Sequence, residues 1–134
     1  GVEILAHNFR NNYEVAIDKY GNMFTADNDD DGNRSCRTVT VVEGGNYGYF
    51  SADGKRFWNA DRRPGEDIQS AHWHQRDPGV MPHGTITGAG GPTGVTMYEH
   101  DSFAALNGYL LNADAGRSIV YAHRPVIEGS ELVL

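Results

Sequence analysis

A single cysteine, Cys36, stands among 134 residues, so no disulfide closes within the chain and neither a cysteine zinc cluster nor a cysteine-linked haem site is encoded here. No apolar run is long enough to span a bilayer, and no signal-peptide pattern is present. Bases are scarce: 11 Lys and Arg face 18 Asp and Glu, a net charge of −7, and the bases do not cluster. That balance argues against nucleic acid or an anionic membrane as partner. Helical periodicity is sparse as well. No initiating Met precedes Gly1, and the first residues read as mid-protein, so a fragment or a processed product is expected.

What the chain does have is 17 glycines and a series of short alternating stretches, which together point to an all-β fold with many turns. Tyr13 to Ile17, Met23 to Ala26 and Thr38 to Val42 read as one antiparallel meander. Val95 to Tyr98, Gly108 to Ala113 and Ser118 to His123 read as a second. Two such sheets suit about two blades of a β-propeller, blade 1–50 and blade 95–134. Between them residues 51–94 read as a loop-rich connection, and a connection that long is usually functional or disordered. Its histidines and aromatics favour an ordered, functional insertion. Two blades also leave faces that a closed ring would cover, so apolar surface is expected around Tyr13, Val41, Tyr98 and Val120.

The acidic run Asp27-Asn28-Asp29-Asp30-Asp31-Gly32-Asn33 carries the most chemistry. Carboxylates at alternate positions before a glycine turn several oxygens toward one hard cation, which makes Asp27, Asp29 and Asp31 candidate calcium ligands. The other reading is a solvated acidic turn between strands. The spacing opens like an EF-hand loop but argues against one, because Thr38 stands at the twelfth position, where that loop needs a bidentate Glu, and no helix pattern flanks it. Downstream, Gly44-Gly45-Asn46-Tyr47-Gly48 reads as a tight connection whose tyrosines, Tyr47 and Tyr49, seal neighbouring blades. Arg62-Arg63 with Glu66-Asp67 reads as a solvated patch.

Taken in order, Phe9-Arg10-Asn11, Asp18-Lys19-Tyr20-Gly21-Asn22-Met23-Phe24, the acidic loop and Gly44-Gly45-Asn46-Tyr47-Gly48-Tyr49 resemble the consecutive motifs of the soluble quinoprotein glucose and sorbosone dehydrogenases. The stretches His72 to Gly79, Thr87 to Gly94 and Asp114-Ala115-Gly116 resemble, more closely, a bacterial branch of membrane-bound dehydrogenases. The resemblance implies a six-bladed propeller that holds pyrroloquinoline quinone (PQQ) and calcium, of which this chain is about two blades. It further implies a periplasmic or extracellular setting, a sugar or alcohol substrate, a cytochrome c as electron acceptor, and the remaining blades or a larger assembly as partner. The quinone-contacting Arg-Asn pair falls on Arg10 and Asn11, where a guanidinium fork grips a carboxylate or carbonyl. The proline that follows that pair in the family is Asn12 here. The position of a quinone-binding lysine is Gly116, with Arg117 next to it as the candidate. The turn at Thr93 either lines the central pocket or is a plain strand entry.

His72 and His74 lie two apart, so on an extended segment both rings project from one face and supply two metal ligands, or a base and its partner oriented by Asp77. The bland alternative packs His72, Trp73 and His74 beneath the long connection. The implied reaction is oxidation of a sugar or alcohol by hydride transfer to a calcium-polarised quinone, with the base supplied by His72, His74 or residues elsewhere. Two alternatives stand beside it: a non-catalytic calcium-binding propeller segment that recognises carbohydrate or a protein, and a hydrolase built on His72, His74 and Asp77.

Overall fold

Alternation becomes strand wherever it is sustained. The computed structural model of the chain describes residues 1–29, 33–56, 59, 62–129 and 131–134. In it Val15–Ile17 (β1), Met23–Asp27 (β2) and Cys36–Val41 (β3) form an antiparallel meander. The Asp18 carboxylate shapes the β1–β2 turn by accepting the backbone N–H groups of Tyr20 and Asn22 at 2.9 and 2.8 Å. A fourth strand, Thr85–Gly88 (β4), pairs with the far edge of β3 and completes a sheet ordered β1-β2-β3-β4. Pro92–Tyr98 (β5), Tyr109–Asp114 (β6) and Ile119–His123 (β7) make a second, three-stranded sheet, with a 3₁₀ segment, Asp101–Leu106 (η1), between β5 and β6. A hairpin of Val126–Glu128 (β8) and Glu131–Val133 (β9) follows. The described residues thus contain nine strands in antiparallel sheets and a short helix, Ile68–His72 (α1), as expected of an all-β partial propeller. None of their helices is long and apolar enough to cross a membrane.

The connection is more structured than a loop. Its β4 takes strand geometry from the open edge of β3, and α1 starts where the Asp67 carboxylate caps the backbone N–H of Ser70 at 2.8 Å. Glu66, expected in a solvated patch, is only 5% exposed: it accepts the N–H of Arg63 at 2.9 Å and faces the guanidinium of Arg76 at 3.6 Å.

Pairing register sorts the first sheet into two faces. Ala16, Phe24 and Ala26 share one face and pack on Val95 and Leu110 of the second sheet, with Met97, Leu132 and Leu134 around them. Thr38 joins this contact through its hydroxyl, 3.3 Å from Asn112 Oδ1. The opposite face carries Asp27, Arg37, Val39 and Val41, and the connection covers it. Trp73 and Tyr47, both fully buried, lie over Arg37, and the Tyr47 hydroxyl donates to Thr40 O at 2.6 Å. Residues 5–9 run alongside 44–49, with His7 N and Tyr49 N donating to Gly45 O and Asn8 O at 3.0 Å each. Gly48 makes this layer possible: it has φ +75°, and a Cβ there would stand 2.1 Å from Trp73 O.

This cover changes two expectations. Val41, expected to be exposed, is buried at 9% because the connection lies over its face, and Tyr47 seals its own sheet from within the chain. Tyr13 and Val120 are exposed as expected, at 79% and 65%, while Tyr98 is half-buried.

Candidate functional site at the loop end of the sheets

Antiparallel pairing brings one end of both sheets together. Strands β2, β4 and β6 finish there and β3, β5 and β7 begin, as the pairs Asp27–Arg37, Cys36–Gly88 and Asp114–Ile119 show. Asp27 at the start of the acidic loop, Gly88 to Gly91, the Asp114 to Arg117 turn and the Arg10-Asn11 segment therefore lie at this end. Asp114 ties two of them, since its Oδ1 accepts from Gly91 N at 2.8 Å and Arg117 N at 3.0 Å. Its Oδ2 is buried without a hydrogen-bond partner among the described residues, and a Cβ on Gly90 would lie 2.0 Å from it. Gly116 is equally constrained: a Cβ there would stand 2.6 Å from Gly91 N, so no lysine fits that position without backbone movement. Arg117, exposed beside it, has Nη1 3.5 Å from where a Cβ on Gly88 would be.

The centre of this end is an ion pair that is absent from the expectations. Arg37 and Asp27 have side chains 0% exposed and meet Nη2 to Oδ2 at 3.0 Å. The same Nη2 donates to Tyr47 O at 2.8 Å, and the guanidinium lies 3.4 Å from the centre of the Trp73 ring. Burial lowers the Arg37 pKa to about 10, against the opposing pull of Asp27. Asp27 also accepts the backbone N–H groups of Arg10 (Oδ2, 3.2 Å) and Asn11 (Oδ1, 2.8 Å). A signal for Arg37 was available in sequence: it shares strand parity with Val39 and Val41, which places an arginine on an otherwise apolar face.

The described residues of the acidic run are largely interior. Asp29 is 6% exposed, and its oxygens take Ser35 N and the Cys36 thiol at 3.1 Å each. Burial, with the carboxylates of Asp29 and Asp114 adding to it, pushes the Cys36 thiol up to about 12, so it stays protonated. For Asp27 and Asp29 the solvated-turn reading does not hold. Asp31, with Asp30 and Gly32, lies outside the described residues. Among the described residues no three His, Cys, Asp or Glu side chains converge as a cation site. Asp27 does not fit a calcium cage, because a guanidinium already neutralises it. Asp29 fits better, with one hydrogen bond to each oxygen among the described residues.

The histidines occupy other places than an extended segment would give. His72 closes α1 and His74 follows a turn at φ +46°, so the two rings diverge. His72 Nδ1 accepts from Asn33 Nδ2 at 2.8 Å, and His74 Nδ1 lies 2.7 Å from Gly48 O. Both are buried, at 0% and 4%, and Trp73 Nε1 donates to Ser35 O at 2.8 Å. His72 and Trp73 thus anchor the chain at Asn33 and Ser35. The triad His72, His74 and Asp77 does not assemble: Asp77 pairs instead with Arg63 at 3.3 Å. Thr93 is part of β5, and its hydroxyl is 3.3 Å from Ala113 O, a strand-entry contact. A cleft of about 610 Å³ between β3, residues 81–85 and Leu132 to Leu134 lies toward the other end and holds none of these residues.

No protein-family model and no curated protein matches the chain. Among solved structures, a glucose dehydrogenase superposes with a TM-score of 0.64 over 98% of the chain, at 17% identity. The likeness is one of fold. The chain spans 35% of that protein's length, as befits a propeller-like fragment with two packed antiparallel sheets.

Proposed function

We propose that this chain supplies the cofactor-gripping part of a propeller oxidoreductase that oxidises a sugar or an alcohol, with a quinone of the PQQ type held by Arg10, Asn11 and Arg117. The observation that carries the reading is that the Arg10-Asn11 segment, tied to Asp27, and the Asp114 to Arg117 turn lie at the same loop end of the sheets. The donor set suits an anionic, carbonyl-bearing ligand: two arginines for carboxylates and a carboxamide for a carbonyl. Such a quinone, when bound, would supply a two-electron acceptor for the hydride of a carbinol carbon, and a calcium ion, for which Asp29 would be one ligand, would supply a Lewis acid. The residues of this chain bind and orient. His72 and His74, buried and hydrogen-bonded within the chain, are not assigned as the base that removes the substrate proton.

The longer protein, supplied with PQQ and calcium, should reduce a dye acceptor at the expense of an aldose or an alcohol. Arg10→Ala should weaken PQQ binding by roughly 10- to 100-fold through loss of charge-assisted hydrogen bonds. Absence of dye reduction with aldoses, aldehydes and alcohols at saturating PQQ and calcium would contradict the proposal. The burial of both histidines favours a second reading, a non-catalytic loop end that recognises carbohydrate or a protein, and that outcome would select it.

A further inference from the structure

We infer that Asp27 is a positioning residue: its carboxylate, countered by Arg37, fixes the backbone that carries Arg10 and Asn11, and it does not ligate a cation. The function of Arg10 and Asn11 rests on the quinone reading; the role of Asp27 in placing them rests on geometry alone. Both carboxylate oxygens are occupied, Oδ1 by the N–H of Asn11 and Oδ2 by the N–H of Arg10 and the guanidinium of Arg37. A calcium ion on these oxygens would sit beside a fully buried guanidinium, where like charges repel strongly because water does not screen them.

The arrangement also explains how the connection reaches the loop end. Trp73, just after α1, stacks on Arg37, and Tyr47 presents its carbonyl to the same nitrogen that grips Asp27. Packing of the connection thereby fixes Arg37, Arg37 fixes Asp27, and Asp27 fixes the segment entering β1. Arg10 and Asn11 precede β1 and lie outside the sheet ladders, so this carboxylate stands in for a paired strand.

Amide hydrogen exchange on the native chain, without cofactor or metal, tests this directly. The Arg10 and Asn11 amides should be protected to the degree of β2 amides, and exchange at the rate of an unprotected peptide would overturn the inference. In Asp27→Asn one acceptor becomes a donor facing donors, so exchange at Arg10 and Asn11 should accelerate roughly tenfold or more, with β6 unchanged. Unchanged exchange at both amides in that variant would overturn the inference. Titration with calcium chloride alone should give Asp27→Asn the same affinity as the native chain, and a tenfold loss would restore Asp27 as a ligand. With PQQ as the probe, Asp27→Asn should weaken binding as Arg10→Ala does. A protein that binds no PQQ overturns the quinone reading only, because exchange is read without it.

Discussion

Arg37→Met is expected to cost about 3–5 kcal/mol of folding stability, measured by urea denaturation at neutral pH. The variant roughly keeps the side-chain volume and leaves the Asp27 carboxyl without its cation in a position that water does not reach. It also removes the donor to Tyr47 O and the cation over Trp73. The native pair itself adds little net stability. Burial lowers the Arg37 pKa to about 10 despite its partner, and Nε and Nη1 have no hydrogen-bond partner among the described residues. Desolvation therefore offsets much of the attraction, and the large loss comes from orphaning one charge. Combining Arg37→Met with Asp27→Leu should recover most of it, although Arg10 and Asn11 would lose their acceptor. A loss below about 1 kcal/mol in the single variant, the range of an exposed pair, would mean that solvent reaches Asp27.

Phe24→Ala should have an effect of similar size, about 3–5 kcal/mol, through the cavity it opens between the two sheets. Phe24 is 0% exposed and lies with Ala16 and Ala26 against Val95 and Leu110. Two of its neighbours are alanines, which cannot swing inward to fill the space, so the cavity should persist. Tyr20→Ala, at an exposed turn position, is the control and should stay within about 0.5 kcal/mol. Equal effects of the two changes would show that the sheets are not held by this contact.

How much of this was legible beforehand differs residue by residue. The β1–β2 turn and the strands around it follow from alternation and from Asp18 and Gly21, which act within a few residues of themselves. The strand β4 was not legible, since Thr85–Gly88 sits among glycines and prolines and takes its geometry from the edge of β3. The histidine pair misled because Trp73 separates two rings that an extended chain would align; the turn after α1 sends them to Asn33 and Gly48. The ion pair of Asp27 is not visible in the sequence, because Arg37 lies ten positions away and only pairing of β2 with β3 brings the two together. Gly116 could be seen to lack a lysine, but its crowding against Gly91 appears only once the two turns meet.

The loop end bearing Arg10, Asn11 and Arg117 is proposed to grip an anionic quinone. Titration of the longer protein with PQQ in the presence of calcium, followed by the absorbance of the bound quinone, tests it most directly. Saturable binding at one site is expected, weakened by Arg10→Ala and by Arg117→Ala and unaffected by His74→Gln. No saturable binding, or binding indifferent to both arginines, would contradict it.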